Sequence, residues 1–165
     1  MFDLYYCITG DHDLRLVVLA AIVCLVATAS AVLLLRQAKL SGGRGRIHWS
    51  IVAGITTGLG IWTTHFVAML GYDPGIVVGY DLARTALSLV IAMGLTTAGF
   101  VTAVQRRSRF RRAAAALMIG GGIATMHYVG MSAVEFPGTF SWRSDYVVLS
   151  LLFPVLPIYP GLVLT

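Results

Sequence analysis

The sequence predicts an all-α, polytopic transmembrane helix bundle built from repeated helix pairs, with about five spans and the N-terminus outside. Two observations support this class: 58% of the 165 residues are hydrophobic, and only 12% are charged. Ordinary soluble domains carry about 25% charged residues, and a chain this short has a large surface to cover. A soluble globular enzyme, a disordered tail and a nucleic-acid-binding module are therefore excluded, and a lipid bilayer is the expected environment.

Long stretches without a charged side chain define the predicted spans. They are residues 16–35, 47–72, 85–105, 113–134 and 146–165. Each has about the 20 residues that a helix needs to cross a hydrocarbon core of about 30 Å. The last stretch is the least regular, because Pro154, Pro157 and Pro160 recur at every third position and each removes a backbone donor.

The connecting segments alternate in charge along the chain. All seven acidic residues fall in the N-terminal stretch and in the loops that follow the second and fourth spans. Nine of the twelve basic residues fall in the other two loops, at 36–46 and 106–112. Because positively charged loops stay in the cytoplasm, this pattern predicts that the N-terminus lies outside.

An internal repeat divides the chain into helix pairs. Residues 58–69 and 120–131, offset by 62, share Gly, Gly, Ile, Thr, His, Val and Met at identical spacing. Each unit joins a plain inward helix to a motif helix that runs outward, within one domain over 1–165. The units cover 13–75 and 81–138, and an incomplete third covers 142–165. Since the third motif helix is missing, we expect a fragment or a shortened relative of a longer protein.

The repeat places one histidine and one methionine of each unit at matching depth. His65 and His127 each lie eight residues before an acidic residue. Met69 and Met131 follow them at i+4, one turn outward on the same helix face. An ionisable residue inside a span indicates function, although a histidine bonded to a carbonyl and a gap-filling methionine are the structural alternatives. Packing the motif helices together would bring two imidazoles and two thioethers to one point.

Copper matches this donor set best. Neutral imidazole coordinates metals, and thioether sulfur is soft and selects Cu(I), whereas zinc uses Cys, His or carboxylate ligands. The alternative is a bis-His haem redox protein, with His65 and His127 as axial ligands, which leaves the repeated methionines without a role. We expect no enzyme, because the sequence shows no Ser/His/Asp set, no cysteine nucleophile with a base and no phosphate-binding loop.

The second motif, Met126-His-Tyr-Val-Gly-Met131, resembles the signature of the MHYT-domain family of bacterial membrane sensors, and residues 64–69 look like a variant of it. The resemblance implies an inner-membrane sensor that binds copper near the outer face and senses O2, CO or NO. It also implies a cytoplasmic signalling partner domain for cyclic-di-GMP turnover. The ligand set that it implies is His65, Met69, His127 and Met131, with Met126 as a further candidate.

Overall fold

The computed structural model of the chain describes residues 12–72, 75, 78–105, 108–135 and 158. The elements in this part are α1 (Leu14–Leu40), α2 (Gly43–Leu70), β1 (Gly79–Tyr80), α3 (Leu82–Gln105), α4 (Arg109–Met131) and β2 (Val134–Glu135). All four helices are long and apolar enough to cross a membrane, so the predicted all-α transmembrane class is confirmed. The predicted fifth span, 146–165, lies outside the described residues apart from Ile158.

Short turns fix the helices as antiparallel neighbours. The Asp13 side chain caps α1 by accepting a hydrogen bond from the Arg15 backbone N–H at 2.9 Å. The same helix ends where the Ser41 N–H donates to the Gln37 carbonyl, and α2 begins two residues later. Gly43 adopts φ +52° at this reversal, a backbone conformation that residues with a Cβ rarely adopt.

The acidic side chains of the described residues all lie at one end of the bundle, as the alternating loops predict. The described acidic residues lie where α1 and α3 begin and where α4 ends; they are Asp13, Asp81 and Glu135. The first turns of α2 and α4 lie at the opposite end and carry arginines without an acidic residue. We call the acidic end the outer end, following the charge rule; the orientation in the cell stays a prediction.

Backbone hydrogen bonds tie the outer ends of the helices together. β1 pairs antiparallel with β2, so the connection between α2 and α3 is joined to the end of α4. The Asp81 N–H extends this pairing by donating to the Ala133 carbonyl at 2.8 Å. The Asp13 N–H donates to the Gly71 carbonyl at 2.7 Å, which joins the start of α1 to the end of α2. The outer ends of all four helices are thereby held in register.

Helix packing relies on small residues. Successive helices pack against each other along the chain, and α2 and α4 meet over a short stretch. At these contacts Gly54 faces Thr97, Gly58 faces the backbone of Ala92 and Met93, and Gly60 faces Ala27. Because lipid tails are as apolar as the side chains, helices in a bilayer associate through close van der Waals contact, and small residues permit it.

The main apolar cluster lies in the inner half of the bundle. Its buried members come from all four helices: Ala31, Leu35, Ala53, Phe100 and Ile119. Ile158, from the C-terminal segment, packs against this cluster. The motif histidines lie in the other half, so the two halves differ in chemistry as well as in charge.

A glycine at the centre of the packing allows a direct test of this arrangement. A methyl group added at Gly58 would lie 2.6 Å from the Met93 Cα and 2.7 Å from the Ala92 carbonyl oxygen. We expect Gly58→Ala to lower the free energy of unfolding by about 1–3 kcal/mol in detergent. Gly94→Ala is the control, because nothing lies within 4 Å of a methyl group there, and it should cause no loss. Equal stability of the two variants would contradict the α2–α3 packing.

Candidate metal site

The two motif histidines, which lie 62 residues apart in the chain, are in contact in the structure. The imidazoles of His65 on α2 and His127 on α4 have their ring centroids 4.9 Å apart, and their planes meet at 67°. Both side chains are half-buried. A metal–imidazole bond is about 2 Å long, so rings this close can present one nitrogen each to a single metal ion.

One ring nitrogen in this pair has no hydrogen-bond partner. Nε2 of His65 is buried, and it finds neither donor nor acceptor among the described residues. The alternative in which this nitrogen bonds a backbone carbonyl is therefore not realised here. An unpaired buried polar atom costs about 1–3 kcal/mol, so native proteins rarely leave one without a reason. A ligand that binds the imidazole nitrogen would remove this cost.

Gly130 makes the contact between the motif helices possible, and the sequence analysis did not single it out. A methyl group at this position would lie 3.0 Å from Nε2 of His65 and 3.4 Å from Cζ of Phe66. The imidazole of His65 thus rests against the bare backbone of α4. The repeat equates Gly130 with the exposed Ala68, so sequence alignment alone hides this difference between the two motifs.

Aromatic side chains support His65 from the α2 side. The ring of Phe66 contacts His65 edge-on at 5.2 Å and lies 4.6 Å from the Trp62 ring. The Trp62 indole N–H donates to the Ser88 hydroxyl at 3.0 Å, and Ser88 is fully buried on α3. Phe66 also contacts Tyr80 on β1, and burial raises the pKa of the Tyr80 phenol above its ordinary value. These successive contacts, from Ser88 through Trp62 to Phe66, therefore hold the His65 side chain in position.

The methionines proposed as ligands occupy different environments. Met69 and Met131 are half-buried, one turn closer to the outer end than the histidines. Met126 is 2% exposed and directly precedes His127. No group of three or more His, Cys, Asp and Glu side chains converges within the described residues. Among the described residues, the methionines of the two motifs are the sulfur-containing side chains closest in sequence to the histidines on these helices.

Comparison with known proteins shows to which family the chain belongs. The family described as the MHYT bacterial signalling protein N-terminal repeat matches residues 58–116 and 120–165. The chain belongs to the MHYT family. The two matched copies begin 62 residues apart (120 − 58), which is the offset of the motif repeat. No solved structure matches the chain.

Curated relatives of this MHYT chain are signalling proteins. An uncharacterized signaling protein of Caulobacter vibrioides is 38% identical over 94% of the chain and 19% of its own length. In Pseudomonas aeruginosa, the bifunctional diguanylate cyclase/cyclic di-GMP phosphodiesterase MucR is 35% identical over 89% of the chain and 22% of its own length. The cyclic di-GMP phosphodiesterase NbdA is 36% identical over 85% and 18%. The chain spans about a fifth of these relatives and corresponds to an MHYT sensory domain.

The contact between Gly130 and His65 predicts an energetic coupling. Gly130→Ala should destabilise the protein because the imidazole must move, and in a His65→Ala background the same substitution should be nearly neutral. We expect a coupling free energy of about 1 kcal/mol from a double-mutant cycle of thermal unfolding. Gly121→Ala on the same helix is the control, since nothing lies within 4 Å of a methyl group there. Equal cost of Gly130→Ala in both backgrounds would show that His65 does not rest on α4.

Proposed function

We propose that this MHYT domain is a sensory input domain that binds one copper ion between its two motif helices. The observation behind the proposal is the contact of His65 with His127, 4.9 Å between ring centroids, together with the buried unpartnered Nε2 of His65. In this proposal the imidazoles supply two donors, and the thioethers of Met69 and Met131 supply the other two. Met126 on α4 is a further candidate for a thioether ligand.

The donor chemistry favours Cu(I) over other ions. Thioethers are weak ligands for zinc but match a soft monovalent metal, and two neutral imidazoles with two thioethers leave the charge of the ion uncompensated. Both motif helices end at the outer end, where their last carbonyl groups carry partial negative charge. This field favours a cation near Met69 and Met131, which lie in the last turns.

The haem alternative fits the pair less well. A haem held by His65 and His127 as axial ligands would place its macrocycle between the two imidazoles. In the structure these rings contact each other, and Gly130 lies directly against His65. Haem would therefore require α2 and α4 to separate, whereas a single ion between the two imidazoles needs far less space. An absorption spectrum of the purified protein distinguishes the two, because only haem gives a Soret band.

The sensed ligand in this proposal is a diatomic gas, O2, CO or NO, or the redox state of the surroundings. Cu(I), when bound, would supply an electron-rich centre for such a molecule. His65 and His127 would hold the ion between α2 and α4, and the buried Phe66 packs beside His65 on the α2 side. A change in the spacing of His65 and His127 would alter the angle between α2 and α4 and so displace their inner ends.

The output in this proposal lies outside the chain. MucR is named as a diguanylate cyclase and cyclic di-GMP phosphodiesterase, NbdA is named as a cyclic di-GMP phosphodiesterase, and the chain matches about a fifth of each. We infer that this domain regulates a cyclic di-GMP enzyme on the cytoplasmic side of a bacterial inner membrane. In this proposal the chain itself senses and catalyses no reaction.

Metal loading of variants tests the site. His127→Ala should lose most of the copper bound by the purified protein, because imidazole is the strongest neutral donor of the set. His48→Ala is the matched control, since His48 is exposed at the inner end, and it should keep full loading. Metal analysis after desalting measures both.

A second pair of variants tests the thioether. Met131→Leu should weaken Cu(I) binding more than Cu(II) binding, because it exchanges a soft donor for an apolar group of similar volume. Met118→Leu, in the same helix but closer to the inner end, should change neither affinity. Unchanged copper binding in both His127→Ala and Met131→Leu would refute the proposed site.

A further inference from the structure

The inner end of the bundle carries a concentrated positive charge that the sensing proposal does not use. Arginines of the described residues lie there, in the last turns of α1 and in the first turns of α2 and α4. We call this set the basic collar: Arg36, Arg44, Arg46, Arg109, Arg111 and Arg112. Arg36, Arg44 and Arg109 are exposed.

No carboxylate of the described residues lies near the basic collar. Their three acidic side chains, Asp13, Asp81 and Glu135, all lie at the outer end. Two collar arginines donate to neutral acceptors: Arg46 donates to the Ser41 carbonyl, and Arg111 donates to the Gln105 side-chain oxygen at 3.1 Å. These contacts orient the guanidinium groups, and no acidic side chain of the described residues offsets their positive charge.

The position of the arginines opposes the helix dipoles. The N-terminus of a helix carries partial positive charge, which acidic residues stabilise and basic residues destabilise. The first turns of α2 and α4 contain no acidic residue, and they contain Arg44, Arg46, Arg109, Arg111 and Arg112 instead. Arginines at these N-termini destabilise the isolated helices. An anion bound there would therefore interact favourably with both the arginines and the helix dipoles.

Two large apolar side chains project from the same end. Phe110 is 82% exposed and lies between two collar arginines, and Leu40 is 84% exposed and follows Lys39. Basic residues alternating with exposed apolar anchors are typical of segments that lie at the boundary between headgroups and acyl chains. Both side chains stand at helix ends, where a spanning helix leaves the hydrocarbon core.

We propose that the basic collar binds the anionic headgroups of phospholipids such as phosphatidylglycerol, with Phe110 and Leu40 inserted among the acyl chains beneath them. The proposal is independent of copper, because it rests on the opposite end of the bundle. Anionic lipid at this end offsets the charge that the helix dipoles oppose. In this proposal, a higher content of anionic lipid in the inner leaflet stabilises the inner ends of α2 and α4.

Lipid association of the full chain tests the proposal. The protein is reconstituted in phosphatidylcholine bilayers with spin-labelled phosphatidylglycerol or spin-labelled phosphatidylcholine, and the motionally restricted fraction gives their relative association constants. The wild-type chain should prefer phosphatidylglycerol several-fold, and high salt should reduce that preference. Arg44→Gln and Arg109→Gln should each reduce it by up to about fivefold.

Arg15→Gln is the matched control, because Arg15 is also an exposed arginine in the first turn of a helix but lies at the outer end. It should leave the preference unchanged. Equal association of the two lipids with the wild-type chain would overturn the proposal and favour another occupant, such as an acidic protein surface. A preference that survives Arg44→Gln and Arg109→Gln, or that falls equally in Arg15→Gln, would overturn it as well.

Discussion

The close approach of helix backbones at glycine is the constraint on which the rest of this structure depends. Inside a bilayer, apolar side chains gain nothing by leaving lipid, so helices stay together only where their surfaces fit closely. Gly54 and Gly58 bring α2 against α3, and Gly99 and Gly122 do the same between α3 and α4. Because both α2 and α4 pack against α3, they also meet each other near the outer end.

The histidine pair is a consequence of that packing. Because α2 and α4 run in the same direction, residues one repeat apart lie at the same depth, and His65 reaches His127 across a short contact at Gly130. The β1–β2 pairing and the Asp81–Ala133 hydrogen bond prevent the outer ends from spreading. The contact between the two histidines therefore depends on the spacing of α2 and α4.

The fold class could be predicted from the sequence because it depends on one-dimensional quantities. Uncharged stretches give the spans, and the alternating loop charge gives a common end for Asp13, Asp81 and Glu135. The 62-residue repeat also placed His65 and His127 at one depth, since depth follows from position along a helix. The copper ligands and the unit boundaries stay predictions, and the predicted span at 146–165 lies outside the described residues.

Other features were beyond the reach of sequence reasoning because they depend on how helices rotate about their axes. The repeat treats Gly130 and Ala68 as equivalent, yet one lies against His65 and the other is exposed. The bond from Trp62 to Ser88 crosses between helices at positions that the motif does not mark. The pairing of β1 with β2 involves two residues on each side, too few for a hydrophobic period to reveal.

The central claim is that both motif helices contribute to one site, and X-ray absorption at the copper edge of the Cu(I)-loaded protein tests it most directly. The account predicts one copper per chain, with imidazole nitrogen and thioether sulfur in equal number around it. Two coppers per chain, or a first shell of nitrogen without sulfur, would contradict a single site shared by His65, His127 and their methionines.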